Sequence, residues 1–350
     1  MKKLIGLVLT VSVAALTGCD DGASPAPPPK VVEKPSVIPA NMPETPSSTS
    51  LVNIAGYLPK FANAATNSAT SPNLSTAVNI GNSIDNAPLL GRTETIDGAK
   101  AYAILAAANS QAFRNGIEQI GASYGRDGMI AKITANPSMV RSIPGYSEAK
   151  TYAGAAVGEQ FAKIDSASAI VKKAAYDLQL TSWAKVPQDK QIHLNKMASN
   201  WEVPLAQSDF DPKTISYNPT QTANAAGDVV TATPIAEVND DIMAAAALRI
   251  LRADREVLST MKIGSGQSCA YRAYLNSRMC MAATKFPFEH AFCISEHGQN
   301  EMKNCFAEAV GYPKPLVKKE KSATSVTIPI KFKDSKPAAP VKKTTTPKKK

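Results

Sequence analysis

Four cysteines fall within 37 residues toward the C-terminal end of the chain, Cys269, Cys280, Cys293 and Cys305, and two of the three histidines, His290 and His297, lie among them. His290, Cys293, His297 and Glu301 recur at steps of three and four, a spacing that one helical face carries, and imidazole, thiolate and carboxylate together can hold a metal ion. The same sulfurs can instead close two disulfides, which leaves no thiolate to coordinate anything. The redox compartment decides between the two, and the N-terminus bears on that compartment.

The chain opens with Lys2 and Lys3 and an apolar run from Leu4 to Leu16. The run is too short to span a bilayer and is flanked as an export signal is, so residues 1–18 read as a signal peptide. It ends Leu16-Thr17-Gly18-Cys19, which resembles the lipobox of bacterial lipoproteins. That resemblance implies cleavage before Cys19, acylation of its thiol and amine, and a membrane partner reached through lipid. Two or three acyl chains hold a protein on a membrane stably, each buried methylene contributing about 0.8 kcal/mol. Asp20 directly after the cysteine is similar to the retention signal of enteric-type lipoproteins and implies the periplasmic face of the inner membrane, with the outer membrane as the alternative.

An exported chain meets an oxidising compartment, and with Cys19 assigned to lipid the other four cysteines form an even set, so disulfides are expected ahead of a metal and no cofactor is expected. Phe286-Pro287-Phe288 interrupts the region and predicts two antiparallel helices, about 267–285 and 289–310. Cys269 and Cys280 are then about 16 Å apart along the first helix, and Cys293 and Cys305 about 18 Å apart along the second. Nested pairs Cys280–Cys293 and Cys269–Cys305 fall almost level. Eleven residues return a helix nearly to the same face but twelve overshoot by about 120°, so the second helix must bend or fray, with Gly298 the expected place. His290 and His297 then become polar surface or hydrogen-bonding groups near the turn, and His193 stands alone. Residues 241–310 resemble an uncharacterised group of secreted bacterial proteins with this cysteine rhythm and Glu-His or Glu-Asp before the third cysteine, here Glu289-His290. The resemblance implies fold and export and carries no activity.

The elements that must position these residues are mainly α-helical. β-branched and aromatic alternation is sparse, and much of the 44% apolar content is alanine, which lets helices approach closely while burying little area per residue. The expected architecture is an Ala-rich helical bundle plus a disulfide-stapled C-terminal hairpin, with a disordered N-terminal linker and C-terminal tail. Residues 19–50 form a Pro-rich tether, since eight of the 31 residues from Asp20 to Ser50 are proline and none is aromatic. Residues 51–87 read as an irregular Asn/Ser/Thr-rich segment or cover, with the body beginning near Pro88. A helical domain covers 88–200, with one helix from Thr95 or Asp97 to Gly121, a loop over Gly121–Gly128, and another helix after Gly145 to about Trp183. In the latter, Val157, Phe161, Ile164, Ser168, Val171, Ala175 and Leu178 alternate steps of four and three and ask for a partner helix. A long loop spans 201–232. A second helical domain, 233–312, starts with Thr233 as cap and Pro234 at the first helical position and continues to Met261, where Gly264 and Gly266 stop the helix.

Charge narrows the function. Residues 313–350 hold 12 lysines and 2 acids, leaving 27 basic and 27 acidic side chains on the other 312 residues. A nucleic-acid-binding fold carries its positive patch on a structured face, so no nucleic-acid partner is expected. The tail, with Lys318, Lys319, Lys342, Lys343, Lys348, Lys349 and Lys350, suits anionic phospholipid or cell-wall carboxylates. No catalytic motif is present. Ser147/Lys150, Ser182/Lys185 and Ser259/Lys262 have the Ser-x-x-Lys spacing, but the companion Lys-Thr-Gly is absent. The expectation is a lipid-anchored, non-enzymatic binding or scaffolding module for an unknown envelope protein. The alternatives are an envelope hydrolase using carboxylates such as Asp209 and Asp211, or a metal or small-ligand binder using His290 and His297.

Overall fold

The segment Ala99–Ala108 offers almost no polar position to water, and a helix with that composition must be surrounded. In the computed structural model, which describes residues 36–39, 50–90, 92–203, 205–215, 222–223, 229–230, 236–261 and 266–311, it is. Helices run over Leu51–Ala55 (α1), Tyr57–Ser68 (α2), Ala77–Leu90 (α3), Thr93–Ala108 (α4), Gln111–Ala135 (α5), Tyr146–Leu178 (α6) and Lys190–Glu202 (α7). They continue over Asp240–Ile250 (α8), Asp254–Met261 (α9), Gly266–Ala283 (α10), Pro287–Cys293 (α11) and Met302–Val310 (α12), with a π-helical segment, Ile294–Glu301, joining the last two. Two-residue strands, Thr222–Ala223 and Val229–Val230, pair antiparallel.

Helix α4 is the hub. Residues Ala101 to Ala108 are all buried, and α1, α2, α6, α8, α10 and α12 pack around the helix. Its small side chains permit this crowding: a Cβ at Gly98 would lie 2.9 Å from Tyr57 Cβ and 3.0 Å from the Ile54 carbonyl oxygen. The same chemistry recurs in α8, where Ile242 to Leu248 are buried without interruption. Lys100, also buried, is satisfied by donating from Nζ to the Met261 carbonyl at 2.9 Å. The structure is thus mainly helical and Ala-rich, as expected.

Several boundaries differ from expectation. Residues 51–87 are neither irregular nor a cover; they are α1, α2 and most of α3, with Leu58, Phe61, Ile80 and Ile84 in the core. Nor does the body begin near Pro88, because the Val37 and Ile38 amides donate to Glu118 carboxylate oxygens at 3.1 Å each and Val37 is buried against Gly121. The segments 88–200 and 233–312 are not separate domains: one apolar core runs from Val37 to Val310 and takes side chains from both. The first helix ends at Asn109, not Gly121, because Ser110 caps a new helix by accepting from the Phe113 amide. The glycine stretch from Gly121 to Gly128 continues that helix, with only Gly125 leaving helical geometry (φ 69°). Helix α6 starts after Gly145 as expected but ends at Leu178, with Trp183 opening a separate 3-10 turn, and all seven seam residues are buried. Beyond the long loop, α8 begins at Asp240 with Asn239 as cap, accepting from the Ile242 amide at 3.0 Å. It breaks at Leu251–Ala253 before α9, and Gly266 opens α10 rather than closing a helix. The expected Thr233/Pro234 start, Gly264, the signal peptide, Cys19 and the tail lysines lie outside the described residues.

The C-terminal hairpin has both nested disulfides, Cys269–Cys305 and Cys280–Cys293, with Cα separations of 5.6 and 5.8 Å. The twelve-residue mismatch is solved by the π-helical segment, which contains Gly298. A π-helix turns about 82° per residue against about 100° for an α-helix. Eight such residues remove about 140° and bring Cys293 and Cys305 back toward one face. Ser295 of this segment holds it to α6 by donating to the Ser168 carbonyl at 2.9 Å, and Lys172–Glu296 and Lys303–Asp165 add ion pairs at 2.9 and 2.6 Å.

Candidate functional site

The metal donor set anticipated on the second hairpin helix is dispersed. Cys293 is in a disulfide, and His297 Nδ1 lies 2.9 Å from Glu301 Oε1 in a local surface pair. The π-helical turn between His290 and His297 removes the shared face that α-helical spacing implied. Among the described residues, no group of three or more His, Cys, Asp or Glu is placed to hold a metal ion. His290 is not a polar surface group: it is fully buried, and neither ring nitrogen has a hydrogen-bond partner among the described residues. Burial, reinforced by the neighbouring His193, holds its pKa down at about 4, so it is neutral.

His193 does not stand alone either. Its ring lies 5.4 Å from that of His290, and its Nδ1 is 2.7 Å from Oδ1 of Asp85, itself buried. Lys196 donates to the other Asp85 oxygen at 3.0 Å, and Asn200 donates to the Asp85 carbonyl at 2.6 Å. Gly81 makes room for this arrangement, since a Cβ there would meet His193 Cε1 at 2.5 Å. Asp85, His193, Lys196 and Asn200 dock α7 on α3. Sequence reading missed the cluster because its members are separated by more than 100 residues.

The loop residues Asp209 and Asp211 also part ways. Asp211 caps a short 3-10 turn, accepting from the Lys213 amide at 2.9 Å. Asp209 lines a cleft of about 820 Å³ formed by α1, the ends of α4 and α8, the start of α5 and the 205–215 stretch. Cations outnumber acids in this cleft: Arg114, Lys213, Arg249 and Arg252 line it with the one carboxylate of Asp209, and Leu105, Phe210 and Ile250 supply apolar wall. Arg114 donates from Nε to the Ala108 carbonyl at 2.8 Å, and Arg249 pairs with Asp254 at 2.7 Å. Burial and then the proximity of Arg252 lower the Arg114 pKa, the signature of a cation short of compensating charge. Arg252 is the one non-glycine residue with positive φ (57°) among the described residues, a conformation that costs about 1–2 kcal/mol. Arg126, next to the Gly125 kink, holds that turn by donating to the Leu251 and Arg252 carbonyls at 2.9 and 3.2 Å.

A smaller cleft of about 220 Å³ lies between α2, α3 and the π-helical segment. Its polar lining is amide and hydroxyl, including Asn67, Asn73, Asn79, Asn82, Asn86 and Gln299, and no ionisable residue lines it. The Asn-rich composition of 51–87 was its only sequence signal.

The fold and clefts define an Ala-rich helical protein with a disulfide-stapled hairpin and polar recesses. No family, no curated protein and no solved structure matches the chain. No helix among the described residues is long and apolar enough to cross a membrane.

Proposed function

We propose that this chain is a lipid-anchored envelope lipoprotein, held at the periplasmic face of a bacterial membrane through Cys19, whose helical body is a non-enzymatic binding module for an anionic envelope component. The observation that carries the binding reading is the arginine-lined cleft. Half-buried guanidinium groups beside apolar wall suit a phosphate or carboxylate attached to an apolar group. The Lys-rich tail adds a second contact to anionic phospholipid or cell wall, screened by salt. The inner membrane is favoured by Asp20, and an envelope protein partner fits the scaffolding role.

Two measurements test this. Cys19→Ala moves the protein from the membrane pellet to the soluble fraction of cells; an unchanged pellet fraction with no acyl-labelled peptide rejects the anchor. For the cleft, the full chain titrated with decyl phosphate at low salt binds saturably. Arg114→Ala, which removes a charged hydrogen-bond donor while leaving the tail intact, weakens that binding about tenfold or more. Equal affinity in the two proteins removes the cleft from the proposal.

A further inference from the structure

We propose that the Asn-lined cleft between α2, α3 and the π-helical segment is a second binding site, one for a neutral sugar ring carrying hydroxyl and amide groups. It shares no lining residue with the arginine cleft and takes a different chemistry.

Gln299 is 4% exposed and lines the cleft. The Ser68 hydroxyl donates to the Ala65 carbonyl at 2.7 Å, so its oxygen is free to accept, and Gln299 Nε2 donates to it at 2.7 Å. That arrangement fixes the amide orientation and leaves Gln299 Oε1 a buried acceptor with no donor among the described residues. Such an acceptor is disfavoured unless something supplies an O–H or N–H, and since Oε1 is closed to solvent, a ligand in the cleft meets it through a small shift of the Gln299 side chain. On the rim, Asn73 Nδ2 donates to the Asn67 carbonyl at 2.8 Å and the Thr70 hydroxyl at 3.2 Å, and Asn79 Nδ2 donates to the Pro72 carbonyl at 2.7 Å, which sets their amides in place. The side chains of Asn82 and Asn86 make no hydrogen bond within the described residues, and each offers two donors and an acceptor.

A carboxamide-lined recess without a charge discriminates for ligands that both donate and accept and carry no charge. Hydroxyl and acetamido groups do this. Anions and cations would lose hydration with no opposite charge to replace it. Phe61, Ala64 and Ile294 add an apolar wall suited to the carbon face of a sugar ring or an acetyl methyl. The volume suits about one ring, being smaller than the ~300–1,000 Å³ of sites that enclose larger ligands. The floor is held rigidly, because the π-helical segment is tied to α6 through Ser168 and Ser295 and ends beside Cys305.

Calorimetric titration of the full chain with the disaccharide of N-acetylglucosamine tests the site. Saturable binding is expected, about tenfold or more weaker in Asn82→Leu and in Gln299→Met, and changed less than about twofold by salt because no ion pair is involved. Asn82 is exposed, so Asn82→Leu carries the test should Gln299→Met unfold. Sedimentation with purified wall sacculi, with and without competing disaccharide, separates a wall-borne sugar from a free one. Absence of saturable binding to both probes overturns the proposal, as does binding that both variants leave unchanged. Loss of sugar binding in Arg114→Ala would place the ligand in the other cleft and equally overturn it. Failure of decyl phosphate to bind, by contrast, leaves this site standing.

Discussion

Alanine in place of both Cys269 and Cys305 is expected to lower the unfolding free energy by about 4 kcal/mol, and in place of Cys280 and Cys293 by about 3 kcal/mol. The estimates follow from loop-closure entropy for sequence separations of 36 and 13. The bonds are nested, so with the inner one intact the outer closes a shorter loop, and its contribution falls by only a few tenths of a kcal/mol. Alanine is the better test than serine, because Cys293 and Cys305 are buried and a serine hydroxyl there would be left unpaired. Denaturant unfolding of the two double variants, compared with the reduced native chain, measures both terms. Midpoints that do not move would mean that the helices and the π-helical turn hold the hairpin without help from sulfur.

The second large effect is acid destabilisation through His290. In the unfolded chain this imidazole takes up a proton near its ordinary pKa of 6.5, whereas the folded protein resists protonation until about pH 4. Between those values the unfolded state binds more protons than the native state, so stability falls as pH drops from 6.5 to 4, by about 3 kcal/mol in total. The charged form is opposed most by burial and then by His193, and is favoured to a lesser degree by Glu289 and Asp85. His290→Leu removes the titrating group together with its unpaired buried nitrogens. The variant is therefore expected to lose this part of the pH slope and to be no less stable than the native chain at neutral pH. Denaturation midpoints from pH 7 to pH 4 for the two proteins isolate the contribution, since other titrating groups are common to both. Parallel slopes would show that His290 is solvated in solution.

Much of the helical scaffold was legible because its cause is local. The α6 seam repeats at helical steps, and its residues are buried as that repeat requires. The Pro287 break and the cysteine spacings contain the hairpin and its pairing, down to the need for a distortion near Gly298. What misled was glycine and asparagine. Gly121, Gly125 and Gly128 read as a loop but sit within α5, and the polar stretch 51–87 read as irregular but is helical. Both segments owe their helices to neighbours: Gly121 packs beneath Val37, and Leu58/Phe61 and Ile80/Ile84 supply buried anchors at helical steps of three and four, but these are few in each helix, set among Asn, Ser, Thr and Ala.

The sites divide along the same line. Sequence by itself determined the helical class, the hairpin, the cluster of four cysteines and the segregation of positive charge into the last 38 residues, because each follows from residue type and from spacing along one chain. Only the tertiary structure decided that His290 meets His193, which in turn pairs with Asp85, that Asp209 shares a cleft with arginines rather than with a second carboxylate, and that Gln299 lines a recess with asparagines of α3. Those groups come together across separations of about 40 to more than 200 residues. Side-chain ionisation and hydrogen bonding depend on what lies within a few ångströms, and the packing of helix on helix, such as α7, α11 and the π-helical segment against α3, sets those distances.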